Sequence, residues 1–240
     1  ADESTNFLYL CDRQGILIAI SEPISGEHHD LAEIKQQFEQ YRDLERAPIM
    51  SAYMKGLFPF YGIMSGPRKQ LVKKWITENH LKKDPQKCKA IIRLLLSEKE
   101  RELHYAAIDL LLALPFKTIE KEDKDLIQFV ITTQPWWDTV DLVASNYLGE
   151  YFMKFPEEKN HLIFTWRNSG HLWLKRSCLL FQLKYRLKTD RELLQDLIHQ
   201  MKDENEFFIR KAIGWSLREY SKYDPDWVRE IIDIENLEGL

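Results

Sequence analysis

The chain has 240 residues, of which 44% are hydrophobic and 30% charged, a composition typical of a globular protein large enough to fold on core packing alone. No apolar run approaches the roughly 20 residues of a membrane span, and three widely spaced cysteines exclude both a disulfide framework and a paired-cysteine zinc site. We therefore expect a cytoplasmic protein, whose net charge of −4 gives no sign of a nucleic-acid partner until it is divided along the chain.

Residues 1–30 differ in pattern from the rest of the chain. Two apolar segments, 7–10 and 16–20, flank residues 12–15, which predicts either a short β-hairpin or an unstructured extension. No basic region is followed by an apolar core and a cleavage site, so we identify no secretory signal. We predict an N-terminal extension of unknown role over residues 1–30 and one helical domain over residues 31–240.

From residue 31 onward, apolar residues recur at spacings of three and four, which is the period of amphipathic helices. The chain has only 9 glycines and 9 prolines, few for a β-sandwich. The sequence therefore predicts an all-α fold. Representative apolar stripes are Ile91, Leu94 and Leu95; Leu103, Ala107, Leu110, Leu111 and Leu114; and Leu193, Leu194, Leu197, Ile198 and Met201.

Charge is distributed unevenly along the chain. Residues 1–46 carry ten acidic and four basic side chains, whereas residues 68–93 carry nine basic and two acidic ones. The basic segment favours a local anion-binding surface, although an ordinary solvated helical face explains it equally well. Both interpretations stay open at this point.

Four helix starts resemble one another. They begin at His104, Trp136, Trp173 and Phe208, with offsets of 32, 37 and 35 residues. Each start is an aromatic side chain that leads into an apolar stretch, and a second helical stripe precedes the next start, as in a helix-pair repeat. We therefore favour an α-α superhelix of HEAT-like antiparallel helix pairs, an α-solenoid with a concave groove, over an irregular helical bundle.

The sequence lacks the familiar catalytic signatures. No HExxH, GxSxG, P-loop or GxGxxG string occurs, and the 7 histidines are scattered, so we expect neither a metal nor a cofactor. The 38 acidic residues make chance carboxylate pairs unavoidable, so spacing alone identifies no acid–base pair.

The segment 132–141 is unusual because Pro135, a residue suited to the first turn of a helix, precedes two tryptophans. Trp137 and Asp141 are four residues apart and therefore share one helix face, which places a flat π surface beside a carboxylate. An isolated pair of this kind is more often a structural tryptophan beside a surface aspartate.

Later helix starts add aromatic rings and cations near the corresponding repeat positions: Trp173, Lys175, Arg176, Arg210, Lys211, Trp215 and Arg218. A groove that gathers them suits a polyanion with one positively charged group.

The chain resembles a known family in several strings that occur in order and at similar intervals. These are WWDTVD at 136–141, LWLKR at 172–176 with FQLKY at 181–185, FFIRKAIGWSLREYSK at 207–222, and the earlier YMKGLF at 53–58 and segment 62–71. They are similar to the AlkD-like DNA alkylation repair glycosylases, and the similarity runs from about residue 32 to the end of the chain.

The resemblance implies a HEAT-like superhelix that holds duplex DNA containing alkylated purines. It also implies hydrolysis of the N-glycosidic bond of positively charged N3- and N7-alkylpurines, without the base extrusion that glycosylases usually employ. Such groove binding needs only a monomer. The alternative is a noncatalytic HEAT-like solenoid that binds DNA or a protein partner.

Individual residues match positions of functional importance in that family. Asp141 matches the catalytic aspartate, and Trp137 and Trp215 match the tryptophans that flank the lesion. Arg176 matches an arginine that contacts the DNA backbone. Three further matches are less close: Tyr53 with a cleft position, and Lys184 and Arg218 with positions near the DNA backbone.

The chemistry of this substrate explains why one carboxylate is enough. An alkylated purine already carries a positive charge and leaves as a neutral base, so no general acid is required. As the bond breaks, the sugar gains oxocarbenium character, which an ionised Asp141 stabilises while it orients the attacking water.

Overall fold

The computed structural model describes residues 5–11, 17–23 and 26–237. The chain divides into two compact units, Ala1–Ala107 and Ile108–Leu240, a division that the sequence analysis did not draw. The described helices make the fold all-α apart from one pair of strands near the N-terminus, which confirms the predicted class. None of these helices combines the length and the apolar character that a membrane span requires.

The N-terminal unit begins with two antiparallel strands, β1 (Thr5–Cys11) and β2 (Leu17–Pro23). Of the two alternatives predicted for residues 1–30, the hairpin is therefore the one that forms, although its connecting residues 12–16 lie outside the described part of the chain. The unit's helices are α1 (Gly26–Gln40), α2 (Arg46–Tyr53), α3 (Ser65–Glu78), α4 (Pro85–Leu96) and the first part of α5 (Arg101–Ala113).

The loop between α2 and α3 is anchored by a buried carboxylate. Glu102, on α5, accepts hydrogen bonds from the backbone N–H groups of Tyr61 (3.0 Å), Gly62 (2.8 Å) and Ile63 (3.0 Å). Burial raises the pKa of the Glu102 carboxyl, and the backbone donors oppose that rise. Gly62 has φ +93°, and a Cβ there would lie 2.3 Å from the carbonyl oxygen of Asp43, so this loop requires a glycine.

The basic segment 68–93 is only in part a solvated face. Arg68 and Lys89 are buried, and Lys87 forms an ion pair with the buried Asp30 at 2.7 Å. Lys69 and other lysines of the segment are exposed. The charge count therefore overstates the positive surface available to an anion.

In its described residues, the C-terminal unit contains the rest of α5 and eight further helices, and two of the connections include a short 3₁₀ turn. They are α6 (Asp123–Thr132), α7 (Trp137–Val143), α8 (Gly149–Lys154), α9 (Pro156–Arg167), α10 (Leu172–Leu180), α11 (Arg191–Met201), α12 (Phe207–Tyr220) and α13 (Pro225–Ile234). A π-helical turn, Ala144–Leu148, joins α7 to α8 without a break. The predicted repeat starts fall on α5, α10 and α12 and on Trp136, the residue just before α7. Helices α6, α8, α9 and α11 lie between these starts.

Local sequence signals fix several of these helix starts. The side chain of Asp190 accepts a hydrogen bond from the backbone N–H of Leu193, and that of Asp224 from the N–H of Trp227. Proline occupies the first turn of α9 and α13, where its missing N–H is not needed. These signals set the starts of α9, α11 and α13, the helices that follow the repeat openings.

Helix α10 lies at the centre of the C-terminal unit, where it packs against α6, α7, α9 and α12. Seven of its nine residues are buried, including Trp173, Leu174 and Arg176. A charged side chain on such a helix needs a partner, because an isolated buried charge is strongly unfavourable. Arg176 finds that partner on α7.

Candidate active site

The start of α7 is set by an extended residue. Trp136 has φ −154° and ψ 162°, and its carbonyl oxygen accepts from the N–H groups of Thr139 (3.2 Å) and Val140 (3.0 Å). Pro135 therefore lies two residues before the first helical residue. The sequence pattern predicts it in the first turn of the helix, and that prediction is wrong. Trp137 is the first helical residue, and its indole is half-buried.

Asp141 follows Trp137 by one turn of α7, so the two side chains share a face of the helix, as predicted. Asp141 is a buried residue, and its side chain is 11% exposed. The side chain is therefore nearly enclosed by the protein.

Arg176 binds the Asp141 carboxylate with two parallel hydrogen bonds. Its Nε donates to Oδ1 at 2.7 Å and its Nη2 donates to Oδ2 at 2.8 Å, the bidentate geometry of strong ion pairs. Its third nitrogen, Nη1, donates to the main-chain carbonyl oxygen of Phe208 on α12. The arginine thereby joins three helices at one point.

Burial and charge act on Asp141 in opposite directions. Burial raises the pKa of its carboxyl, because loss of water disfavours the charged form. The Arg176 guanidinium opposes this rise by stabilising the carboxylate, and nearby Asp138 adds to it. The pairing with Arg176 thus favours the ionised form in a site where burial alone would favour the neutral acid.

The pairing gives Arg176 a partner that the sequence analysis did not anticipate. The family resemblance implies a contact between Arg176 and the DNA backbone, whereas the guanidinium is buried and uses three of its five N–H groups on Asp141 and Phe208. One N–H remains on each terminal nitrogen. A contact with a phosphate stays a prediction for these two N–H groups.

An aromatic cluster lies beside the arginine. The rings of Trp136, Trp173 and Phe208 have centroid separations of 5.6, 5.2 and 5.0 Å. The guanidinium carbon of Arg176 is 5.7 Å from the centroid of the Phe208 ring. These three aromatic residues open three successive repeats, so the repeat pattern itself brings them together.

The π-helical turn that follows Asp141 carries a chain of hydrogen bonds to Lys184. Ser145 donates from Oγ to the carbonyl oxygen of Asp141 at 2.7 Å, and Asn146 donates from Nδ2 to Ser145 Oγ at 3.2 Å. The exposed Lys184 donates to Oδ1 of Asn146. Single π turns inside α-helices occur frequently at functional sites.

The remaining site candidates lie on two other helices. Trp215 is half-buried on α12, seven residues after Phe208, and therefore lies on the same side of that helix two turns away. Arg218 is exposed one turn further along α12. Tyr53, the last residue of α2, belongs to the N-terminal unit, and its side chain is 69% exposed.

One cluster of His29, Asp30 and Glu33 has ligand atoms within 4.8 Å of one another, close enough to hold a metal ion. Its carboxylates already have other partners, because Asp30 pairs with Lys87 at 2.7 Å and Glu33 accepts from Asn79 at 2.7 Å. The cluster is thus explained by local packing.

Sequence reasoning missed the contribution of Phe208, Ser145 and Asn146 to this site. A signal for Phe208 was present, since it is the aromatic residue that opens the last repeat. Its carbonyl contact with Arg176 carries no sequence signal, because every residue has a carbonyl group. Ser145 lies four residues after Asp141, a spacing at which a hydroxyl commonly donates back to a helix carbonyl.

Comparisons with known proteins show which family the chain belongs to. A family model described as "DNA alkylation repair enzyme" matches residues 34–238. A solved structure described as "Predicted DNA alkylation repair enzyme from Enterococcus faecalis" shares 34% sequence identity with a TM-score of 0.73, and the match covers 80% of this chain and 89% of that one. The search of curated proteins gave no significant match.

Proposed function

Since the chain belongs to the DNA alkylation repair enzyme family, we propose that it is a DNA glycosylase that hydrolyses the N-glycosidic bond of positively charged N3- and N7-alkylpurines in duplex DNA. Membership confirms the resemblance found in the sequence, and it implies DNA as the class of substrate. The proposal adds the type of reaction, the kind of lesion and the residues involved. In this proposal, the protein acts as a monomer in the cytoplasm.

One observation carries the proposal: a carboxylate whose direction is fixed by a bidentate arginine, one helical turn after Trp137. Asp141 is fixed by Arg176 at 2.7 and 2.8 Å, and its side chain is 11% exposed. A carboxylate that stabilises a developing positive charge needs a fixed orientation of this kind.

The proposed reaction requires few catalytic groups besides the Asp141 carboxylate. A cationic alkylpurine leaves as a neutral base, so no side chain has to protonate it. The sugar becomes positively charged as the bond breaks, and the preorganised Asp141 carboxylate stabilises that charge and orients the attacking water. Arg176 favours the ionised form of the carboxylate, which this role demands.

Aromatic and basic side chains complete the proposed site. Trp137 and Trp215 would contact the cationic base and the sugar, and each indole face would contribute about 0.5–2 kcal/mol. For Tyr53, which belongs to the N-terminal unit, a contact with the lesion is proposed from the family resemblance alone. DNA-backbone contacts are proposed for the exposed Lys184 and Arg218, and for the two remaining N–H groups of Arg176.

The first test is the variant Asp141→Asn. We expect the purified wild-type chain to release 7-methylguanine or 3-methyladenine from methylated duplex DNA. The variant should be slower by at least about 100-fold, which corresponds to roughly 2.7 kcal/mol of transition-state stabilisation. Single-turnover release of free base, followed by chromatography, measures this directly.

The matched control is Asp125→Asn, the same substitution at an exposed position on α6. It should release base at the wild-type rate. If the folded wild-type chain released no base at all, the noncatalytic binding protein would be favoured. If Asp141→Asn kept full activity, another group would have to supply the negative charge.

A further inference from the structure

The Trp136, Trp173 and Phe208 cluster connects the starts of three helices. Trp136 caps α7, Trp173 lies in the first turn of α10, and Phe208 lies in the first turn of α12. Their ring centroids are 5.0 to 5.6 Å apart, with tilted and edge-on arrangements typical of favourable aromatic pairs. The cluster therefore fixes the positions of these helix starts relative to one another.

Two of these helices carry the ion pair, and the third carries its support. Asp141 follows Trp136 on α7, and Arg176 follows Trp173 by three residues on α10. Phe208 contacts Arg176 twice, through its carbonyl oxygen and through its ring, 5.7 Å from the guanidinium carbon. Phe208 of the cluster thus holds Nη1 of the arginine, while Nε and Nη2 bind the carboxylate.

We propose that the Trp136, Trp173 and Phe208 cluster is a positioning device that holds Arg176 in place and, through it, orients the Asp141 carboxylate. Its effect on base release rests on the proposed function, whereas its effect on Asp141 itself does not. An arginine has many rotamers, and contacts that restrain the guanidinium from a second side favour the one rotamer in which it binds the carboxylate with two hydrogen bonds. None of the three aromatic residues needs to touch the DNA for this role.

The charged groups that act on Asp141 are few. Arg176 on α10 favours the carboxylate, and Asp138 on the same helix disfavours it. Among the described residues, α6, which also packs against α7, adds no charge to this set. A loosened Arg176 should therefore raise the pKa of Asp141 without compensation from another cation.

The test uses Phe208→Leu, which keeps an apolar side chain and the main-chain carbonyl but removes the ring. We expect the Asp141 titration, followed by the ¹³Cγ resonance of the carboxyl, to move upward by about 0.5 to 1 on the pH scale. This is part of the effect of 1 to 3 that an adjacent arginine typically has. The acid limb of single-turnover base release should move by the same amount, a loss of about 3- to 10-fold below the midpoint.

Three further variants separate positioning from simple stability. Phe208→Tyr keeps the ring and should keep the wild-type titration of Asp141. Trp173→Phe replaces the indole of the cluster with a smaller ring and should move the Asp141 titration upward. Trp166→Phe alters a buried tryptophan of α9 that donates to Gln128 and lies outside the cluster. It should lower the melting temperature and leave the Asp141 titration unchanged.

The outcomes are distinguishable. An unchanged Asp141 titration in both Phe208→Leu and Trp173→Phe would overturn the inference, even if base release fell. A titration that moves as expected in a chain that releases no base would uphold the inference and overturn the proposed function. Equal movement in Trp166→Phe would also overturn it, because general destabilisation would then explain the result.

Discussion

At the scale of single residues, burial of the Asp141–Arg176 pair costs hydration free energy, and the fold maintains the pair despite that cost. The side chains are 11% and 5% exposed, so both charges have lost most of their hydration. Buried pairs of this kind often add little stability over an apolar pair, although breaking one partner is strongly destabilising. Their retention here is consistent with a site that needs a fixed carboxylate.

Removing the positive charge of Arg176 should reveal the desolvation cost of Asp141 as a loss of folding stability. In Arg176→Gln, the buried carboxylate loses its partner, and we expect the free energy of unfolding to fall by about 3 kcal/mol at about pH 7. Burial then acts unopposed and holds the pKa of Asp141 above its usual value of 3.8. The penalty is therefore present at high pH and declines as the pH falls through that raised pKa, so urea unfolding at about pH 5 should show a smaller loss.

The double variant Arg176→Gln with Asp141→Asn serves as the control. It removes the unpaired charge as well, so its stability should exceed that of Arg176→Gln alone and should show no recovery on acidification. If Arg176→Gln were as stable as the wild-type chain at neutral pH, the pair would be far more hydrated than the structure indicates.

At the scale of helices, the junction between α8 and α10 depends on a glycine. Gly149 opens α8 directly after the π turn, and a Cβ built there would lie 2.7 Å from the carbonyl oxygen of Phe181. Tyr185 donates from its hydroxyl to the carbonyl of Gly149 at 2.6 Å. The close approach keeps the helix that follows Asp141 against the end of the helix that carries Arg176.

Gly149→Ala should therefore destabilise the chain by about 1–3 kcal/mol, because the main-chain carbonyl of Phe181 has to move. This is the opposite of the usual gain of up to about 1 kcal/mol when alanine replaces a helical glycine. Denaturant unfolding measures the difference.

Gly66→Ala is the matched control for this prediction. Gly66 lies in the first turn of α3, and a Cβ there would meet nothing within 4 Å. This variant should be neutral or slightly stabilising. Equal effects of the two variants would mean that the α8–α10 contact is looser than the distance implies.

At the scale of the whole molecule, ion pairs link helices that are neighbours in the repeat order. In the C-terminal unit, Lys124 on α6 pairs with Glu158 on α9 at 3.2 Å, and Lys159 on α9 pairs with Asp190 at the start of α11 at 2.8 Å. Further along, Arg191 on α11 pairs with Asp224 at the start of α13 at 3.0 Å. Networks of this kind stabilise more than isolated surface pairs.

Glu158 is the most connected acidic group in this set, since Lys121 also pairs with it at 2.9 Å. Hydrogen bonds from the two lysines lower the pKa of Glu158 below its usual value of 4.5. Its stabilising effect is therefore present above that value and is lost as the pH falls through the lower pKa of the folded chain. Glu158→Gln should lower the melting temperature at about pH 7 and have little effect at about pH 3.

Glu150→Gln, a charge-matched change on α8, controls for the loss of one negative charge. At about pH 7 it should lower the melting temperature by less than Glu158→Gln does. High salt should also reduce the difference between Glu158→Gln and the wild-type chain, because surface pairs are screened. A pH-independent difference would contradict the pairing.

The sequence by itself determined the elements and their order. A period of three and four residues identifies amphipathic helices from the local pattern, and the aromatic openings of four repeats marked α5, α7, α10 and α12. The spacing of Trp137 and Asp141 fixed their common face, because four residues make about one helical turn. The family strings were also readable at this level, so the choice of Asp141 as the central residue needed no structure.

Only the tertiary structure decided which groups meet. Arg176 and Asp141 are 35 residues apart on different helices, and their pairing depends on how α10 packs against α7. The support from Phe208 comes from a main-chain carbonyl, which no residue type announces. Burial was equally hidden: Arg68 and Lys89 counted as surface charge in the sequence but lie inside the fold. Helix formation is governed by local interactions, whereas partners and solvent exposure are set by the packing of distant segments, so the sequence revealed the first and the structure the second.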